Sequence, residues 1–344
     1  MSAKRLLIVR VGAMGDVLHA LPAVAALHAM RPELPIDWVV DSRWAPLLID
    51  GGGRSPLLSR VHVAETRLWS KAPLSLRTAR SVLRLRRALR DEVYSNVVDL
   101  QGTMRSAVIG SFAGAASFAG FADPRESAAG WFYKQRVARL GAHVVEQGAA
   151  LLGEAFGVAL QPAPVCLPQD GAADAWAEAI LQTTARGRRV VLLAPTAGWG
   201  AKQWPAERFG ALAHALHGLG FAVLVNCLRS DDPVTATVVQ ASEGAAEAVP
   251  CGLSELIALT RRAAMVIGGD SGPVHLAAAL GTPTVALYGP TDPVRNGPWG
   301  AGLVRVLRNP SSVTSYKRVA AVDAGLERIS VAQVVEAAAE VVAL

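Results

Sequence analysis

Three loops of this 344-residue chain combine small residues with groups that hold phosphate or move protons. The first reads Gly268-Gly-Asp-Ser-Gly-Pro-Val-His275. Its glycines let a ligand approach the backbone, and free N–H groups at a helix start favour an anion. Pro273 suits a first helical turn, where the N–H it lacks would be unbonded in any case. Ser271 can cap the helix or give its hydroxyl to a phosphate oxygen, with Gly272 beside it. His275, one turn in, faces that oxygen or is simply buried. The second loop reads Pro195-Thr-Ala-Gly-Trp-Gly-Ala-Lys202-Gln-Trp-Pro205. Lys202 offers a cation to a diphosphate leaving group and Thr196 a hydroxyl, though a surface loop with a solvated lysine reads the same way. The Gly-Lys-Ser or Gly-Lys-Thr ending of a Walker loop is missing. In the third loop, Gly12-Ala-Met-Gly-Asp16, the aspartate is either a helix N-cap or a general base at the mouth of a crevice.

The elements around these loops alternate in type. Residues 6–11 form an apolar strand leading into the Gly12 turn, and 17–30 follow at helical spacing. Residues 36–40 and 96–100 read as strands, and 74–90 as a helix with Arg77, Arg80, Arg84 and Arg87 on one face. Three prolines between Gln161 and Pro168 favour an extended connection, which divides the chain into domains at 1–165 and 166–344. Beyond it, strands at 190–194 and 221–225 flank a helix at 206–217. Strands at 265–268 and 284–287 flank a helix at 274–280, and a helix at 329–342 ends the chain. This alternation predicts an α/β protein with two doubly wound parallel sheets, ligands binding at the carboxyl ends of the strands.

Composition agrees with two packed cores: 51% of residues are hydrophobic and 18% charged. The net charge of +6 is uneven, with 20 Lys+Arg against 13 Asp+Glu in residues 1–165 and 14 against 15 thereafter. An anionic partner for the first half, or a solvated basic face, would account for that. Cys166, Cys227 and Cys251 have no metal-ligand spacing, and the chain contains no Asp-x-Asp triplet, so neither metal nor cofactor is expected. The first loop lacks the three-glycine dinucleotide fingerprint. With no export signal or apolar span read in the sequence, the expected setting is the cytoplasm. A basic chain with few aromatics and no reading motif does not suggest a nucleic-acid binder.

Several segments, in order along nearly the whole chain, resemble glycosyltransferase family nine, the ADP-heptose heptosyltransferases. They are Met14-Gly-Asp-Val-Leu-His19 with Leu21-Pro22, Asp99-Leu-Gln-Gly102, Lys202-Gln-Trp-Pro205, Asp270-Ser-Gly-Pro-Val-His-Leu-Ala277 and Tyr288-Gly-Pro-Thr-Asp-Pro293. Arg125-Glu126, Trp131-Phe-Tyr133 and His143-Val-Val-Glu146 are similar to the branch that adds the first heptose to the Kdo of lipid A. The resemblance implies a GT-B fold, two Rossmann-like domains facing a cleft, with acceptor bound by the first and donor by the second. It implies an inverting, metal-independent transfer with Asp16 as base. Lys202, Asp270, Ser271, Gly272 and His275 would hold ADP, and Asp231 or Asp232 its ribose. Arg67, Lys71 and Arg125 would meet an anionic lipid A-type acceptor at the cytoplasmic face of the inner membrane. The last helix is expected to pack back on the first domain. The segment 309–318 departs from the family pattern, keeping only Tyr316-Lys-Arg318 where relatives carry cysteines. A transfer to a later core heptose or to a protein, and a non-catalytic two-lobed sugar-binding protein, are the alternatives.

Overall fold

The computed structural model of the protein describes residues 5–342. The chain divides into two compact units, one ending at Pro168 and the other beginning at Gln169. The first is built on strands β1 (Leu6–Val9), β2 (Ile36–Asp41), β3 (Arg60–Ala64), β4 (Asn96–Asp99), β5 (Ser117–Phe121) and β6 (Gln135–Val137). The second uses β7 (Val190–Ala194), β8 (Ala222–Cys227), β9 (Ala246–Pro250), β10 (Met265–Gly269), β11 (Thr284–Tyr288) and β12 (Val304–Arg308). Each set forms one parallel six-stranded sheet, in the orders β3-β2-β1-β4-β5-β6 and β12-β11-β10-β7-β8-β9. This is the doubly wound GT-B type of architecture. The central strands are covered on both faces, which is why Leu6–Val9 and Val190–Ala194 are unbroken apolar runs of buried residues.

Strand order reverses between β1 and β4 in one sheet and between β7 and β10 in the other. At such a switch point the connections leave to opposite sides and open a crevice beyond the carboxyl ends. The loops singled out in the sequence, Gly12–Asp16, Pro195–Lys202 and Asp270–His275, leave three of those four strands, β1, β7 and β10.

Two helix starts fall earlier than spacing suggested. The helix after β1 runs Met14–Met30, because the Asp16 carboxylate accepts the Ala13 N–H at 3.1 Å from the third helical position. Asp16 is therefore not the N-cap; it stabilises the first turn from inside. The helix after β10 is Gly272–Leu280, with Ser271 as N-cap residue but no cap bond from its side chain. The last helix is Val331–Val342. Its apolar face of Val334, Ala337, Ala338 and Val341 belongs to the core of the second unit, with Phe209, Leu212 and Leu287. The first unit has its own core around Leu7, Val39, Leu89 and Phe118.

Candidate active site

In the second unit the site is built around one buried carboxylate. Asp270 ends β10, and one of its oxygens meets Lys202 Nζ at 2.5 Å and accepts the Thr291 hydroxyl at 2.7 Å. The other lies 3.0 Å from His275 Nε2 and 3.5 Å from the Tyr288 hydroxyl. Burial alone would raise the carboxyl's pKa. The hydrogen bond and charge of His275 and the Lys202 ammonium outweigh it and hold Asp270 well below the usual carboxylate range. The same negative charge, added to burial, pushes the Tyr288 phenol well above its ordinary value. A desolvated charge is tolerable only with such partners, so Asp270 and its four partners form one electrostatic unit.

Glycines at the end of β10 allow this approach. A Cβ on Gly269 would stand 2.6 Å from the Lys202 carbonyl oxygen, and one on Gly268 2.7 Å from that of Ala194. Lys202 ends the short turn Gly200–Lys202, and its ammonium lies 4.8 Å from the Trp199 ring centre. Arg318 stands 5.6 Å from the same ring. The segment 309–318 thus has a structural place: Ser312 donates to Asp323 at 2.7 Å and the Ser315 N–H to the Pro290 carbonyl at 2.7 Å. The Ser271 hydroxyl oxygen is buried at the helix start with no hydrogen-bond partner. Thr196 lies half-buried directly after β7. Together these groups offer an ammonium, an unused hydroxyl and a helix N-terminus, which suits an anionic diphosphate.

Asp231 and Asp232 follow β8, the neighbour of β7, and make no hydrogen bond to this network. Asp231 is exposed and pairs with Arg229 at 2.8 Å. Asp232 caps the helix Pro233–Ala241, accepting the Thr235 N–H at 3.0 Å.

In the first unit Asp16 stands at the β1–β4 switch point with its side chain 37% exposed. One oxygen is held by the Ala13 N–H, the other by Arg10 Nη2 at 2.9 Å. Arg10 in turn donates to the Leu100 carbonyl, and the Val11 N–H donates to Gln101 Oε1 at 2.7 Å. The loops after β1 and β4 are thereby locked together, and the carboxylate is fixed in orientation. Beneath them Asp99 is fully buried. It accepts the N–H groups of Gln101 and Gly102 and the hydroxyls of Ser106 and Tyr133, yet burial still raises its pKa. Gly102 has φ +72°, and a Cβ there would lie 3.1 Å from the Arg125 backbone nitrogen. The Glu126 N–H donates to the Gly102 carbonyl at 2.9 Å, which holds exposed Arg125 beside the β4 turn.

Arg67 and Lys71 lie exposed on the helix Thr66–Lys71, whose Thr66 hydroxyl donates to the buried Asp41 carboxylate at the end of β2. Arg105 reaches Ser70 of that helix at 3.3 Å from the helix Met104–Ser111, which begins beside Arg125. Arg105 was not singled out by spacing, and neither were Arg10, Tyr288 or Thr291. Tyr288 and Thr291 do lie inside Tyr288–Pro293, a segment that carries the family resemblance. His19 and His143, also within such segments, meet edge to face at 5.3 Å. Among the described residues no group of three or more His, Cys, Asp or Glu side chains is arranged to hold a metal ion.

Comparison with known proteins gives consistent matches. The model of the family described as glycosyltransferase family 9 (heptosyltransferase) matches residues 82–322. The chain is 28% identical to lipopolysaccharide heptosyltransferase 1 of Pseudomonas aeruginosa over 88% of this chain and 83% of that one. It is 29% identical to lipopolysaccharide heptosyltransferase 1 of Escherichia coli K12 over 86% and 91%. The solved structure of E. coli heptosyltransferase WaaC with ADP superposes with a TM-score of 0.78 at 26% identity, over 98% of this chain and 99% of that one.

Proposed function

The chain belongs to glycosyltransferase family 9, and on that premise we propose that it transfers heptose from ADP-L-glycero-D-manno-heptose to the Kdo of lipid A in lipopolysaccharide core assembly. The observation that carries this reading is the likeness, along most of both chains, to relatives named lipopolysaccharide heptosyltransferase 1. Family membership makes the chain a glycosyltransferase, and the non-catalytic sugar-binding alternative falls away.

In the proposed reaction an acceptor hydroxyl oxygen attacks the anomeric carbon as the bond to the diphosphate oxygen breaks. ADP leaves with that electron pair, the hydroxyl proton passes to the Asp16 carboxylate, and the configuration inverts. Arg10 holds Asp16 in one orientation. Lys202, Ser271, Gly272 and the helix start at Gly272–Leu280 stabilise the charge developing on ADP, with Thr196 beside them. Asp270 and His275 set the position of Lys202, and Asp231 or Asp232 takes the ribose. The role of metal is filled by these fixed groups, and ADP-heptose is a substrate, so this mechanism has no resident cofactor. Arg67, Lys71 and Arg125, with Arg105, meet the anionic groups of the acceptor. The enzyme then works as a peripheral protein at the cytoplasmic face of the inner membrane. No helix among the described residues is long and apolar enough to cross a membrane.

Purified protein given ADP-heptose and Kdo-lipid A is expected to release ADP and yield a heptosylated product. Turnover only with a core that already carries heptose, or only with a polypeptide, would move the reaction to another acceptor. No turnover with any of them would sink the reading.

A further inference from the structure

The helix Leu76–Asp91 carries six arginines, Arg77, Arg80, Arg84, Arg86, Arg87 and Arg90, against the single acid Asp91. All six are exposed. Its inner side packs through Leu85 and Leu89, which are 5% and 0% exposed. At 100° per residue, Leu76 and Leu83 fall within about 40° of the opposite pole, beside Arg87, and they are 76% and 59% exposed. Arg80 and Arg87 flank these two leucines on one side, Arg86 and Arg90 on the other. Leu74, just before the helix, is 99% exposed.

Such a layout departs from the ordinary surface helix, whose outer face is polar throughout, by setting exposed leucines among the arginines. The loop that presents Leu74 is also held in place. Ser75 caps the helix by accepting the Thr78 N–H at 3.1 Å, and the Thr78 hydroxyl donates to the Ala72 carbonyl at 2.7 Å. The Trp69 indole donates to Ser81 at 3.1 Å, fixing the helix Thr66–Lys71 to this one. The three leucines are therefore presented on an ordered surface, and little ordering is left to be done on binding.

We propose that Leu74, Leu76 and Leu83, set among the arginines of 77–90, form a docking face for an anionic lipid surface. The leucines insert at the headgroup level while the guanidinium groups pair with lipid phosphates above them. A duplex nucleic acid would also pair with the arginines, but would leave the leucines in water. The proposal rests on the preceding section only for where such a surface is met, and its test contains neither sugar donor nor acceptor. A failed transfer assay and a failed docking assay are thus told apart.

Full-length protein is floated with vesicles of phosphatidylcholine alone and of phosphatidylcholine with phosphatidylglycerol. Binding is expected only to the second, weakening with salt. Replacing Arg80, Arg84 and Arg87 together by Gln is expected to weaken it on the order of a hundredfold, since each basic residue near an anionic surface contributes about fivefold. Replacing Leu74, Leu76 and Leu83 together by Ser is expected to weaken it clearly, at unchanged melting temperature because all three are exposed. Leu76→Trp supplies a reporter whose emission should shift to the blue on anionic vesicles. Equal binding to both vesicles overturns the proposal. So does full binding by the serine variant with no blue shift, or tighter binding to a DNA duplex than to anionic vesicles.

Discussion

Asp16 has a structural task as well as the chemical one proposed for it, and one substitution separates them. Asn keeps an oxygen for the Ala13 N–H, so the first turn survives, while the Arg10 pair, partly exposed, is worth about 0–1 kcal/mol. Asp16→Asn is expected to lower kcat by about 10²–10⁴-fold. ADP affinity and melting temperature should stay near wild type, and wild-type turnover would require another base. Asp270 makes a different prediction, in pH. Its folded pKa lies below the 3.8 of a free carboxyl, so the stability it contributes is complete above that value and is lost as pH falls through the folded pKa. The melting-temperature gap between wild type and Asp270→Asn should therefore narrow as pH drops below 3.8. A constant gap there would mean that the charge of Asp270 adds nothing. Asp16, Lys202 and His275 were legible as candidates because small residues and turn signals surround them, and Asp270 came in through the family resemblance. Arg10, Arg105, Tyr288 and Thr291 were not, since the partners that tie them into the site include Leu100, Ser70 and Asp270, which lie 90, 35 and 18–21 positions away along the chain.

The elements explain why these side chains converge. Gly269 is the position where β10 admits the Lys202 turn, so Gly269→Ala tests whether the geometry of that junction matters for donor binding. The added methyl would meet the Lys202 carbonyl oxygen at 2.6 Å, and backbone on both sides has to move. We expect at least a tenfold loss of ADP affinity by calorimetric titration, with a fall in stability of about 1–3 kcal/mol for the overpacking. Unchanged affinity would show that the Lys202–Asp270 spacing tolerates displacement. Central strands and the helices behind them could be read from continuous apolar runs. The edge strands were missed because they do not have such runs. β12 reads Val-Arg-Val-Leu-Arg and β9 contains Glu247, since a strand open to water on one side carries charge there. The start of Met14–Met30 was misplaced because an aspartate capping from the third position has nearly the same spacing as one at the N-cap.

At the scale of the molecule each unit has its own core, and the groups proposed to meet donor and acceptor are divided between the two units. A ligand that binds one native unit stabilises that unit by mass action, about 2.7 kcal/mol at a hundredfold excess over Kd. Calorimetry with ADP is expected to raise the melting of the unit that begins at Gln169, and to do so equally in EDTA. Loss of the shift in EDTA would bring a metal into the site. That each half alternates strand and helix was plain in the sequence; which strands are neighbours was not, because order in a parallel sheet is set by crossovers rather than by local residues. The reversal of strand order has a further consequence, in time rather than space. While the chain is being made, β7 is complete at Ala194, but its partner β10 begins only at Met265. At about 5–20 residues per second the ribosome leaves that edge of Val190–Ala194 unpaired for roughly 4–15 s. The seam at that switch point is thus the one in its sheet whose first strand waits longest for its partner, and until β10 arrives one side of the buried apolar run Val190–Ala194 has no strand to pair with.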